Sequence, residues 1–288
     1  MATTTSTRPE PGAAAPPLGT RFRLGREILP EQAAFLDRHG FLVFEAVASP
    51  EEIAEIDGAL LRIERLWLDE KRRSVNGIPV FWGRIDGKPA VQRFTFSSLF
   101  SQTIRQFVHD ARFEPIRRLV GEDARVGDEE KDGVVVNRFL NARGSVAPAL
   151  GWHTDGLRDL FYGRMPQRML NVGLHLDDCP AENGGLRLIP GSHLQTFASM
   201  CFRKPYFVSH RPDPEEFVIE TRPGDLTVHD GRLWHRVARS QRRGADSLRR
   251  SLYVPYLTGP YEPKSERSRT PAYHHLGRLQ RWLRTVAA

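Results

Sequence analysis

The sequence predicts an α+β protein, with helices in its first half and a double-sheet jelly-roll of short antiparallel strands in its second. Three observations carry this. Helical periodicity is concentrated between residues 30 and 120. After residue 130 the pattern changes to β-branched and aromatic runs separated by turn signals. No βαβ alternation occurs, which argues against a parallel, doubly wound sheet.

Residues 1–21 are rich in Pro, Ala and Thr with almost no large apolar side chains. Ordering such a segment would bury too little surface to offset its lost entropy, so a disordered tail is expected, with 22–288 as one domain. Pro30 fits a first helical position, and EQAAFLDRH runs from it to Gly40, a natural stop. FLVFEAV (41–47) reads as a strand. Ser49-Pro50-Glu51-Glu52 is a capping box with Pro at N1. The helix it opens carries Ile53, Ile56, Leu60, Ile63 and Trp67 three and four apart, a stripe for core packing. A second helical region, broken at Pro115, covers about 99–120. GVVVNRFL, MLNVGLHLDD, LRLI, EFVIET, DLTVHD and RSLYVPYL read as strands. In MLNVGLHLDD, Leu170, Val172, Leu174 and Leu176 share one face, and Asn171, Gly173, His175 and Asp177 the other. Asn183-Gly184 signals a hairpin and Pro190-Gly191 a further turn. Segments 68–98, 157–168 and 196–216 read as pocket-shaping loops, and HLGRLQRWL (275–283) as a short amphipathic helix.

Composition removes several function classes. No run of eighteen apolar residues could form a membrane-spanning helix, and the N-terminus lacks a secretory pattern. Two cysteines, Cys179 and Cys201, exclude a disulfide framework and fit a reduced, cytoplasmic protein. The net charge of +7 suggests nucleic acid until it is located: residues 241–288 hold ten basic and three acidic residues, and the rest of the chain balances. With no basic face and no nucleic-acid-binding signature, a small-molecule partner is expected, with the chain a monomer or homodimer.

The chemistry centres on Gly151-Trp152-His153-Thr154-Asp155-Gly156. His and Asp two apart on a strand project to one face, where both can reach one ion. Two imidazoles and a carboxylate on one triangular face of an octahedron leave three positions open, the arrangement of non-haem Fe(II) oxygenases. The third ligand must be a distant His. His235, 82 residues downstream in GDLTVHDGRLWHR, is favoured over His229 by its Trp-His-Arg context and its spacing to Arg249. Fourteen residues beyond His235, Arg249 and Ser251 share a strand face, where a guanidinium fork and a hydroxyl suit a buried carboxylate. Leu248, Leu252 and Val254 share parity with Arg250 instead. Alternation alone does not say which set faces the site.

Together these residues resemble the phytanoyl-CoA dioxygenase-like family of Fe(II)/2-oxoglutarate oxygenases. The matching pieces run in order over about 30–257: HGFLVFEAVASPEEI, NRFLNARG, GWHTDG, NGGLRLIPGSH, GDLTVHDGRLWHR and LRRSLYVPY. The resemblance implies a double-stranded β-helix (jelly-roll, cupin-like) with N-terminal helices outside one sheet, and Fe(II), 2-oxoglutarate and O2 as cofactor and cosubstrates. It implies His153, Asp155 and His235 as catalytic metal ligands and Arg249, with Ser251, as the 2-oxoglutarate anchor, Arg249 facing inward and Arg250 outward. Asn137 and Asn141 are candidates for further cosubstrate contacts, or for turn and ladder capping. In related halogenases the position of Asp155 holds a small residue, so its carboxylate favours hydroxylation of an unactivated C–H bond, with release of succinate and CO2.

Other residues carry two readings each. Trp152 walls the pocket or packs; His175 lines it or is a satisfied core histidine. Arg158, Arg164 and Arg168 clamp a substrate carboxylate or phosphate, or are solvated. His193 fastens a turn. A non-catalytic binding or regulatory member of the same fold is the alternative function.

Overall fold

The computed structural model describes residues 16–271 apart from Asp86 and Tyr162. The C-terminal helix expected at 275–283 and most of the expected N-terminal tail lie outside the described residues, as does the side chain of Arg158. Residues 16–21, expected in that tail, are held: Thr20 closes a turn on Pro17, and Arg21 pairs with Asp225 and donates to Glu220 O.

The helices form where caps and periodicity meet. Helix α1 is Pro30–His39; Gly40, at φ +80°, ends it and donates to Leu36 O. Strand β1, Phe41–Phe44, follows directly. Helix α2, Pro50–Asp69, opens on the expected box: Ser49 Oγ accepts from Glu52 N and Glu52 Oε2 from Ser49 N. The expected second helical region is α3 (Ser97–Phe100), α4 (Gln102–Val108), a 3-10 turn and α5 (Glu114–Arg118). Two short helices come later, α6 (Leu157–Phe161) and α7 (Phe197–Phe202).

The remaining strands are β2 (Ser74–Val75), β3 (Ile78–Pro79), β4 (Phe81–Ile85), β5 (Lys88–Phe94), β6 (Arg125–Val126), β7 (Val135–Phe139) and β8 (Leu150–His153). Then come β9 (Leu170–His175), β10 (Gly185–Leu188), β11 (Phe217–Val218), β12 (Leu226–Asp230), β13 (His235–Ala238) and β14 (Arg249–Leu257). Apart from a separate β2–β3 pair, they make two antiparallel sheets facing one another. The larger runs β1-β12-β9-β14-β7-β5-β4, with β6 also on β14; the smaller runs β11-β10-β13-β8. This is the expected jelly-roll with helices outside one sheet. Among the described residues no helix is long and apolar enough to cross a membrane.

The large sheet has a dry outer face. The α2 stripe (Ile56, Leu60, Ile63, Trp67) joins Val172, Leu174, Val228, Leu252 and Val254 of the large sheet in one buried cluster. Trp67 meets Phe94 and Phe100 with ring centroids 5.5 and 5.3 Å apart. Burying the four side chains of the α2 stripe contributes of order 10 kcal/mol before entropy is set against it. Arg250 bolts this layer down, donating to both carboxylate oxygens of Asp177 on one side and to Asp57 of α2 on the other.

Two expectations are corrected here. The segment 68–98 is not a loop: β4 and β5 pair antiparallel and extend the large sheet, and Gly87, just before β5, has φ +76°. Asp-Gly between alternating residues was the available signal. Conversely, Asn183-Gly184 does not form a hairpin between paired strands. It carries the chain from β9 in one sheet to β10 in the other. Gly184 has φ +84°, and a Cβ there would lie 2.2 Å from Arg249 Nη1 and 2.4 Å from Ala238 O. The glycine makes room for a buried guanidinium.

Candidate metal centre

Strand alternation and the sandwich of sheets bring polar residues inward. On β8, His153 faces the interior and Trp152 the outside. On β13, His235 lies directly across the ladder from His153. Asp155 follows β8 and is fixed by its N–H donating to Gly231 O. Ligand atoms of His153, Asp155 and His235 all lie within 4.8 Å of one another, and the two imidazole centroids are 4.1 Å apart.

The hydrogen bonds set the chemistry of this trio. His153 Nδ1 donates to Gly151 O (2.8 Å) and His235 Nδ1 to Leu233 O (2.9 Å). Each backbone carbonyl thereby assigns the tautomer that leaves Nε2 as a free lone pair. Burial pushes both imidazoles below their ordinary pKa, His235 the further, so both are neutral at pH 7. Burial alone would raise the Asp155 carboxyl, but His235, His229 and His153 outweigh it and hold it well below the usual carboxylate range. Asp155 is therefore an anion. Two neutral nitrogen donors and one carboxylate fit a divalent transition metal with positions left open.

The surroundings are shaped by long-range contacts. Phe207 stacks on His153 with centroids 4.9 Å apart. It sits in the left-handed region at φ +59°, its N–H donating to Trp152 O. Tyr253 of β14 faces His229 edge-on at 6.1 Å. Its ring lies over Gly173, where a Cβ would approach Tyr253 Cε1 to 2.4 Å. These residues open onto a cavity of about 1380 Å³, walled in part by Phe81, Phe139, Met165, Phe207, Tyr253 and Asn137. Arg93 also lines it, paired with Asp132 at 2.7 Å.

Arg249 and Ser251 are buried on the inner face of β14, behind the residues that line the cavity. Arg249 Nη1 donates to Ala238 O (2.6 Å), and Nη2 to Pro148 O (3.2 Å). Its Nε is buried without a partner, and burial lowers the guanidinium to about pKa 10, still protonated at neutral pH. A buried cation with a spare donor fits an anionic ligand. Ser251 stands between Asn137 of β7 and His175 of β9 in the ladder.

Other expected contributors fall elsewhere. Trp152 does not wall the cavity. It is fully buried on the outer face of the small sheet with Trp234 and Ile189, donates to Arg211 O (2.9 Å), and lies under Lys204 at 4.7 Å. Its neighbour His153 takes the inner face, so alternation sends the indole outward. Asn141 does not reach the site either: its amide donates to Ser240 O and Arg242 O, both at 2.9 Å, and its Oδ1 accepts from Arg239. It lies beyond the end of β7 and ties down the 239–242 turn. His175 faces inward but bonds Thr227 at 3.0 Å and does not line the cavity. Arg164 and Arg168 do line its mouth, Arg168 reaching Asp37. His193 Nε2 donates to Asp37 O at 3.0 Å and fastens the end of α1. Sequence reasoning passed over Phe207, Tyr253, Arg93 and Asn171. Asn171 and Tyr253 sat in strands already read, on the polar face; Phe207 left no local signal.

Residues 36–245 match the phytanoyl-CoA dioxygenase (PhyH) family. "Dioxygenase andF" of Emericella variicolor is 26% identical over 115 residues, 39% of this chain and 33% of that protein, so the match spans a third of that relative. The fold is similar to that of EctD from S. alaskensis, with TM-score 0.58, 20% identity and 85% of each chain covered. It is also similar to the epimerase SnoN, crystallised with Fe3+, α-ketoglutarate and nogalamycin RO: TM-score 0.55, 18% identity, 81% of this chain and 93% of that one.

Proposed function

The chain belongs to the phytanoyl-CoA dioxygenase (PhyH) family, and from that premise we propose that it is a 2-oxoglutarate-dependent non-haem Fe(II) dioxygenase. On this reading it hydroxylates an unactivated C–H bond of a small-molecule metabolite and releases succinate and CO2. The observation that carries it is the convergence of two neutral, buried imidazoles and an ionised carboxylate at one point.

Fe(II) bound by His153, Asp155 and His235, together with 2-oxoglutarate and O2, would supply the oxidising chemistry. The chain's own residues do the rest. The carbonyls of Gly151 and Leu233 hold the imidazoles in the ligating tautomer. Arg249 binds the far carboxylate of 2-oxoglutarate through a charge-assisted contact, with Ser251 beside it, and Asn137 contributes from β7. Phe207 and Tyr253 keep water from the centre. The large cavity, with aromatic and aliphatic walls, suits a bulky metabolite and leaves Arg93, Arg164 and Arg168 to orient its polar groups. The bound nogalamycin RO in SnoN supports a small-molecule substrate. The reading includes a cytoplasmic monomer or homodimer that engages neither nucleic acid nor membrane.

The test is aerobic incubation with Fe(II), 2-oxoglutarate and a metabolite panel, read by mass spectrometry. Iron-dependent succinate, with a product one oxygen heavier than its substrate, is the expected result. A protein that binds no Fe(II) and forms no succinate with any substrate sinks the proposal.

A further inference from the structure

We infer that Asn171 and His229 clamp one oxygen of Asp155, so that this carboxylate binds the metal through its other oxygen alone; both are then positioning residues. The inference rests on the metal reading above. Asn171 of β9 and His229 of β12 are direct cross-strand partners, and both face the interior. Asn171 Nδ2 donates to Asp155 Oδ2 at 2.9 Å. His229 Nε2 lies 3.4 Å from that same Oδ2. The second oxygen, Oδ1, is turned toward His235, 3.8 Å from its Nε2. One oxygen is thus held from a single rung of the large sheet while the other faces the ligating imidazoles.

His229 is not a fourth ligand in this arrangement. It is 1% exposed, and its ring is fixed by His235 at 4.6 Å and by Tyr253 at 6.1 Å. Neither ring nitrogen has a hydrogen-bond partner at full geometry. A buried imidazole N–H without an acceptor is costly, and a slight closing of the 3.4 Å gap to Asp155 supplies one. The consequence is geometric. A carboxylate free to rotate can take two coordination positions; two donors on Oδ2 restrict it to one and leave the opposite positions for ligands. Groups that orient metal ligands in this way commonly contribute ten- to a hundredfold to metal affinity.

Co(II) is the probe, titrated into metal-free protein and read by its d–d absorption. The wild type is expected to bind one equivalent. Asn171→Ala and His229→Leu should each weaken Co(II) binding by about tenfold or more and change the d–d spectrum, which reports ligand number. His229→Gln keeps an N–H in reach of Oδ2 and should stay within about threefold of wild type. Thermal unfolding checks that each variant is folded; if His229→Leu is not, Asn171→Ala decides the matter with the same readouts. Wild-type affinity and spectrum in Asn171→Ala, or in a folded His229→Leu, overturn the clamp. So does a loss in His229→Leu as complete as that in His235→Ala and unrelieved by Gln, which would make His229 a ligand. A wild type that takes up no Co(II) rejects the metal reading itself, a separate outcome.

Discussion

Arg249 and Arg250 are adjacent on β14 but point to opposite faces, and on the proposed reading removing each should fail in a different assay. Arg249 points inward, 4% exposed, and its recorded hydrogen bonds go to two backbone carbonyls. Its Nε is unused, and burial lowers its pKa to about 10. Arg250 points outward and is matched by Asp177 and Asp57. Losing one side of a buried charge–carboxylate contact costs about 2–5 kcal/mol. At 1.4 kcal/mol per decade, Arg249→Ala should raise the 2-oxoglutarate KM about thirtyfold or more. It should also abolish the rise in Tm that 2-oxoglutarate gives the metal-loaded wild type. Arg250→Ala breaks the link from β14 to α2 and strands two carboxylates, so it should lower stability by about 1–3 kcal/mol and leave that KM within about threefold. Steady-state titration of 2-oxoglutarate and thermal unfolding of both variants supply the numbers. The reverse ranking in KM would refute the inward register of Arg249 and, with it, the anchor.

His153→Ala, Asp155→Ala and His235→Ala should each abolish turnover and bring bound iron, measured by elemental analysis, close to zero while the fold survives; full iron occupancy in any one removes that residue from the centre. His175 is held by burial at a pKa of about 4 against 6.5, so the unfolded chain takes its proton first. Its contribution is intact above about pH 6.5, falls as pH drops toward 4, and amounts to about 3 kcal/mol. Urea unfolding of metal-free protein against pH should therefore show a shallower decline in His175→Asn, and equal slopes would contradict the assignment. Trp152→Phe gives up the indole bond to Arg211 O and contact with Lys204 outside the small sheet. It should lower stability by about 1–3 kcal/mol without moving the 2-oxoglutarate KM; a changed KM with unchanged Tm would return Trp152 to the cavity wall.

The sequence by itself determined what depends on neighbours along the chain. The capping box at Ser49, the stop at Gly40 and the α2 stripe are short-range effects, and each appears as read. The motif His153-x-Asp155 was legible from its spacing, although β8 ends at His153 and a backbone bond to Gly231 O, not the strand ladder, places Asp155; His235 was legible because its context and spacing matched a known family. What tertiary structure alone decided is which face is inside. Leu252 and Ser251 are both buried, since β14 has helices on one side and the second sheet on the other. A strand buried on both faces carries no polar–apolar alternation to orient it. The same holds for Trp152 beside His153, both buried, one under the lysine of a distant loop and one at the metal centre. Asn183-Gly184 shows the complementary limit: its turn chemistry was readable, but whether the next strand pairs back or crosses to the other sheet depends on contacts far away in sequence. Asn171, His229 and Phe207 meet the centre only because β9, β12 and the 205–209 segment converge there, and no local pattern encodes a meeting between residues up to 74 positions apart from their partners.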